Sequence, residues 1–305
     1  MRHNLMLVTA LLLAVCCVGG ASAADLSVGV FADADSLPLY VAQQEGLFAR
    51  EGISVDLVRF ASAVERDAAL QAGRLDGAIT DVLAVYLSQA GGTQLLITSH
   101  SDGRYGLVAA PSSPVRNTAD LKGRKVGLSL NTVIHYVVDT SLADAGVDTT
   151  KVQLVPVPKM PVRLEMLLAG QVDAAAMPEP FLTAAAIRGA RILVTTDDTG
   201  MDAGVIAFTA KALSTSLPAI KAFHKALWLA GQRINADPER YRPMLSGTLG
   251  FPEEAAAKFR FPRYRKPSLP TSASLDAAAN WLLTKGLLKA RPSSPITDDR
   301  PLAGW

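Results

Sequence analysis

Along this chain, short runs of Val, Ile and Leu alternate with longer segments in which apolar residues recur every three or four positions. Ten runs read as strands: 26–31, 53–60, 77–80, 94–99, 105–110, 125–130, 152–157, 174–177, 191–195 and 205–209. Between them, the periodic segments 37–50, 63–72, 82–90, 133–145, 162–169 and 181–188 read as helices. Short, nearly continuous apolar strands separated by helices predict an α/β fold built on mostly parallel sheet covered on both faces. After Thr209 the pattern turns helical, through 217–236, 238–245, 252–259 and 275–288. The tail 291–305, rich in Ser and Pro, is expected to be loosely held.

The amino end follows a different pattern. Arg2 and His3 precede the uncharged run 5–18, followed by Gly19, Gly20 and Ala21-Ser22-Ala23. A basic start, an apolar middle and an A-x-A end describe a secretory signal peptide, with cleavage expected after Ala23. The run is shorter than the ~20 residues needed to span a hydrocarbon core. A lipoprotein signal acylated at Cys16 or Cys17 is the alternative, although neither cysteine follows the small residue such signals want. The rest of the chain is expected to be exported and soluble.

Composition narrows the function. The 305 residues suggest about two domains at ~100–200 residues each. Thirty basic against 28 acidic residues leave a formal charge of +2, without the basic excess of a nucleic-acid binder. Cleavage after Ala23 would remove both cysteines. That excludes a thiol nucleophile, an iron–sulfur cluster or a cysteine zinc site in the remainder.

An internal echo is the most informative feature. Leu70-Gln71-Ala72-Gly73-Arg74-Leu75-Asp76-Gly77-Ala78-Ile79 returns 97 residues later as Leu167-Leu168-Ala169-Gly170-Gln171-Val172-Asp173-Ala174-Ala175-Ala176. Each copy reads as a helix ending at Gly, the residue suited to a left-handed C′ position, then a turn and a buried strand. Thr80-Asp81 follows the first strand and Pro178-Glu179 the second, so each has an acid just past its carboxyl end. In open α/β sheets that edge is where ligands bind. Either acid alone reads equally well as a helix cap.

Leu37-Pro38-Leu39-Tyr40-Val41-Ala42, then Glu45-Gly46-Leu47-Phe48, then Glu51-Gly52-Ile53-Ser54-Val55 resembles the opening of periplasmic solute-binding proteins of the sulfonate, nitrate, taurine and thiamine-pyrimidine importers. Ala72-Gly73-Arg74-Leu75-Asp76, the turn Asp120-Leu121-Lys122-Gly123, His135-Tyr136 and Glu179-Pro180 continue the resemblance in order over about residues 25–290. It implies the two-lobed periplasmic-binding-protein fold (type II), with two crossover strands as hinge, closing on a small solute. The crossings are expected near 101–107 and 202–208. Lobe one would then be 25–102 plus 207–305, and lobe two 103–206. The implied role is the receptor of an ABC-type importer, acting as a monomer and docking on an ABC permease. A periplasmic sensor or chemoreceptor partner with the same fold is the alternative.

The candidate ligand-binding residues are those the strand-end loops would present. Asp35, Ser36 and Leu37 lie where the first strand gives way to a helix, with Asp35 or Ser36 also a plausible N-cap. Ser62 stands in the corresponding place after the second strand. Asn131 and Thr132 open the helix carrying His135, whose amino end suits an anionic or acceptor group. Asp81, Glu179 and Asp202, with Asp33 and Asp35, give the expected cleft an acidic lean against Arg104 and His135. That points to a nitrogen-bearing organic ligand, because a buried inorganic anion wants more cations. Tyr105, with Tyr40 and Tyr136, is a candidate for stacking a ring. His135 reads equally as a helix-surface histidine.

Catalysis finds little support. Gly127-Leu128-Ser129-Leu130-Asn131 lacks the final Gly of a nucleophile elbow, and there is no Gly-rich nucleotide loop and no HExxH. Neither an enzymatic role nor a cofactor is expected. The basic-aromatic stretch 259–267 reads as a solvated connector or as a docking surface for a membrane partner.

Overall fold

In the computed structural model, residues 25–304 are described. The leader expected at 1–23 lies outside them. All ten apolar runs form strands: β1 (Leu26–Val30), β2 (Val55–Arg59), β3 (Gly77–Asp81), β4 (Leu95–His100), β5 (Tyr105–Ala109), β6 (Lys125–Leu128), β7 (Gln153–Pro156), β8 (Ala174–Pro178), β9 (Arg191–Thr195) and β10 (Gly204–Thr209). They divide into two five-stranded sheets, ordered β2-β1-β3-β10-β4 and β7-β6-β8-β5-β9.

The two sheets share one plan. In the first, β1 runs parallel to β2 and β3, while β10 lies antiparallel between β3 and β4. In the second, β6 runs parallel to β7 and β8, while β5 lies antiparallel between β8 and β9. The antiparallel strand of each sheet is the one that enters directly from the other sheet. The chain crosses from β4 to β5 through 101–104 and returns from β9 to β10 through 196–203. Strands β3, β5 and β8 are buried along their whole length, whereas β2 and β7 at the edges are only partly covered. That is the pattern of sheets flanked by helices on both faces.

Local chemistry explains the element ends. The stretch 37–50, which reads as one helix, is broken into Leu37–Gln44 and Leu47–Arg50 by Gly46, whose φ of 65° no helix accommodates. Gly73 and Gly170, at φ 66° and 69°, close the two helices of the echo as expected of C′ glycines. The echoed acids Asp76 and Asp173 tie their turns to matching strands of the two sheets, β1 and β6. Asp76 accepts from the Ser27 N–H at 2.8 Å and Asp173 from the Lys125 N–H at 2.9 Å. Gly77 leaves room for Phe208, since a Cβ there would meet the ring at 2.5 Å. Phe208 in turn packs edge-on to Phe223 of the helix Leu217–Ala236, with ring centres 5.3 Å apart. Burying such a side chain contributes about 1.5–3 kcal/mol.

Candidate functional site

Strand ends of both sheets face each other across a small cavity of about 40 Å³. The first sheet's side supplies Phe31, Asp33, Asp35, Ala63, Arg66, Ile79, Thr80 and Asp81. The second supplies Tyr105, Ser129, Thr132, Val133, Ile134, Pro158, Met160 and Pro178. Around this space the two sides touch directly. The Ala34 N–H donates to the Glu179 carbonyl at 3.0 Å, the Met160 N–H to the Ala61 carbonyl at 3.4 Å, and Lys159 pairs with Glu65 at 3.3 Å. Farther out, Trp281 Nε1 of the helix Ser272–Thr284 donates to Asp139 of the helix Val133–Asp144 at 3.0 Å, and Lys285 pairs with the same carboxylate.

Three buried aspartates give the cavity its charge. Asp33 accepts from the Ser36 N–H at 2.9 Å, and burial lifts its pKa to about 6 against the pull of Ser36, Arg66 and Arg59. Asp35 accepts from the Tyr105 hydroxyl at 2.8 Å. Burial, and then the neighbouring charge of Asp33, carry its pKa to about 7. Asp81 ends β3 and caps the helix Val82–Ala90 by accepting from the Ala84 N–H at 2.9 Å. Burial raises its pKa, while Arg66 and the N–H groups of Ala84 and Val133 draw it down. Tyr105 sits among all three acids, and burial followed by their charges raises its own pKa. The first crossing and the start of β10 close on Asp35: a Cβ on Gly103 would stand 1.9 Å from its carboxylate, and one on Gly204 would stand 3.4 Å from it and 2.5 Å from Ser101 Oγ.

Arg66, which lines the cavity, and Arg163, which does not, are buried arginines that sequence reasoning missed. They lie 97 residues apart, in the same register as the echo, on the helices Ala63–Gln71 and Met160–Leu168. Both are fully buried. Arg66 Nη1 donates to the Ile79 carbonyl at 3.0 Å, and Arg163 Nη1 to the Ala176 carbonyl at 2.6 Å, carbonyls that are again 97 residues apart. Extending the echo four residues upstream would have paired them. Arg163 also holds the Val157 and Pro158 carbonyls and Ser129 Oγ. Burial alone lowers its pKa to about 9. Arg66 instead reaches Asp67 through Nε and Nη2, at 2.8 and 2.7 Å, with its guanidinium 5.0 Å from the centre of the Phe31 ring.

Of the sequence-derived candidates, Asp35, Asp81, Tyr105 and Thr132 line the cavity. Ser36 is buried beneath the loop, where its hydroxyl accepts from the Phe31 N–H at 3.0 Å, and Leu37 is wholly enclosed. Ser62 caps its helix by accepting from the Glu65 N–H at 3.3 Å. Asn131 is exposed, at φ 61°. His135 lies one turn along, with Nδ1 accepting from the Asn131 N–H at 3.3 Å and its ring edge-on to Trp281 at 5.0 Å. Burial lowers its pKa against the pull of Asp139. The Glu179 carboxylate accepts from the N–H and hydroxyl of Thr183 at 3.0 and 3.1 Å, and Arg104 approaches it at 3.4 Å. The 97-residue register sets Pro178, not Glu179, opposite Asp81, and successive strand residues point to opposite faces. Arg104 also pairs with Asp197 at 2.8 Å, and Asp202 pairs with Arg265 at 2.9 Å, both outside the cavity lining. Tyr40 donates to the Phe31 carbonyl, and Tyr136 packs on Trp281.

Among the described residues no group of His, Cys, Asp and Glu could hold a metal ion. No helix among them is long and apolar enough to cross a membrane.

Two sheets of one plan, joined by two crossings and enclosing a small cavity at their strand ends, define the periplasmic-binding-protein fold. The chain belongs to the NMT1/THI5-like family, whose profile matches residues 33–241. Its fold is similar to that of the alkanesulfonate-binding protein SsuA from Xanthomonas axonopodis pv. citri, at TM-score 0.76 and 21% identity over 91% of this chain and 98% of that one. It is also similar to the periplasmic nitrate-binding protein NrtA from Synechocystis PCC 6803, at TM-score 0.73 and 17% identity over 91% and 84% of the respective chains. A putative thiamine biosynthesis protein of Haemophilus influenzae is 30% identical over 146 residues. That alignment spans about half of each chain, 47% of this one and 46% of the relative.

Proposed function

We propose that this protein is the extracytoplasmic solute-binding receptor of an ABC-type importer, capturing a small nitrogen-bearing organic solute between two lobes. Lobe one would comprise 25–102 plus 207–305 and lobe two 103–206, the leader 1–23 having directed export to the periplasm. The observation that carries the reading is the cavity at the strand ends, lined by both sheets, whose frameworks are joined by two crossings. The binding proteins named above share this fold. At about 40 Å³ the space holds little more than a few waters. Entry of an organic solute therefore requires the lobes to swing apart at the crossings. A solute that touches both lobes only when they close would shift the population toward the closed form. That form would dock, as a monomer, on a membrane permease. The role is binding rather than catalysis.

Thermal-shift screening of the purified protein against sulfonates, nitrate, pyrimidines, flavins and amines tests the reading. Stabilisation by one small solute is the expected result. Hydrolytic turnover with no stabilisation by any of them would overturn it.

A further inference from the structure

Two features of the cavity could hold an anion, and the protein's own acids already occupy both. The amino end of the helix Val133–Asp144 faces Asp81, whose carboxylate is drawn down by the Val133 N–H. Arg66 donates from Nη1 to the Ile79 carbonyl and from Nε to Asp67, and its Nη2, which makes no hydrogen bond, stands 2.7 Å from the same Asp67 oxygen. Beside these stand Asp33 and Asp35, also nearly fully buried. A sulfonate or nitrate placed here would meet three carboxylates and a single guanidinium whose charge is already paired with Asp67. Thr80, only 3% exposed, lines the same cavity with a hydroxyl that has no partner.

We propose that the cleft takes the cationic head of a small organic solute, a protonated amine or amidine, seated among Asp33, Asp35, Asp81 and the Thr80 hydroxyl. The proposal deepens the receptor reading and rests on it. Charged donors and carboxylates make the stronger, shorter hydrogen bonds, and a cation offsets the cost of burying ionised acids. Phe31, Ile134 and Met160 would cover an apolar body attached to that head.

A proton linkage follows. Asp33 faces Arg66 and Arg59. Asp35 faces Asp33, Asp102 and Tyr105. Asp81 faces Arg66 and Asp67. In the closed cavity, burial favours the neutral forms of Asp33, Asp35 and Asp81. A bound cation favours their ionised forms, so uptake should release protons and tighten as pH rises from about 5.5 to about 7.5.

Calorimetric titration of the whole protein with charge-matched probes tests this. Benzamidine, benzylamine and butylamine are the cations, benzamide is the neutral control, and benzenesulfonate, butanesulfonate and nitrate are the anions. At least one cation should bind roughly tenfold tighter than benzamide, the effect of one charge-assisted pair, with no uptake of the anions. Repeating the titration in two buffers of different ionisation enthalpy reads proton release without any variant. Asp33→Asn should weaken the cation about tenfold, and its own melting curve reports whether it folds. Anion binding, equal affinity for benzamide, proton uptake instead of release, or no binding by any cation overturns the proposal. If a sulfonate, nitrate or a neutral solute binds instead, the receptor reading survives. Only the absence of binding by every solute class removes both.

Discussion

Arg66 and Arg163 occupy matching places in two halves built on one plan, and their surroundings differ. Arg163 is saturated by carbonyls and the Ser129 hydroxyl, with no acid among its partners. Arg66 makes the corresponding carbonyl bond, but it fronts the cavity and is coupled to Asp33 and Asp81. Where Asp81 ends β3, the register of the second half puts Pro178. All three cavity aspartates therefore come from one side, and the other contributes hydroxyls, a helix end and apolar side chains. Repetition fixes the frame of each half, and divergence at the strand ends gives the cavity its one-sided acidity.

The comparison predicts unequal consequences of removing each arginine. Arg163→Met strands buried carbonyls at about 1–3 kcal/mol each, so a total loss of roughly 3 kcal/mol or more is expected. In a chain of this size that lowers the melting temperature by roughly 6–10 °C. Equal destabilisation by Arg66→Met would break the distinction between the two places.

The acidic side should also leave a pH signature. Asp35 has a folded pKa of about 7, well above its unfolded value, so the folded form holds more protons in the intervening range. Its contribution to stability is complete below about pH 4 and is lost as pH rises through about 7. Relative to Asp35→Asn, wild type should lose on the order of 2 kcal/mol between about pH 5 and pH 8. Parallel denaturation profiles across that range would show that the acids do not differ from ordinary surface carboxylates.

Arg66→Met should cost less stability than Arg163→Met, about 1–2 kcal/mol, because it leaves one buried carbonyl unmet. Its larger signature is expected in solute affinity, which titration would read. The smallest effect is expected at the outer contact. Trp281→Phe removes one hydrogen bond to Asp139, worth about 1 kcal/mol, and should weaken solute binding only a few-fold by loosening the closed form.

Much of the frame was legible in the sequence because its signals are local. Every apolar run became a strand, and the echoed Gly and Asp residues do the same turn chemistry twice. The arginines were harder to read because Arg66 stands between Glu65 and Asp67, in what reads as an ordinary solvated charge run. What buries it is the Ile79 carbonyl, 13 residues away, placed by the sheet. Glu179 and Asp81 look equivalent when matched as the acid after each strand, yet a shift of one residue reverses the face. Asp202 and Arg104 sit near the crossings in sequence, and their partners Arg265, Asp197 and Glu179 come from distant segments that local pattern does not reveal.

The proposal that the cleft must open to bind is tested most directly by a reversible lock across its mouth. The Ala61 carbonyl oxygen and the Met160 nitrogen lie 3.4 Å apart, so these two segments are the place to build a disulfide across the mouth. The only natural cysteines are Cys16 and Cys17. In an Ala61→Cys, Met160→Cys double variant locked by oxidation, the solute that stabilises wild type should fail to bind, and reduction should restore its uptake. Equal binding by the oxidised and reduced forms would contradict capture between moving lobes.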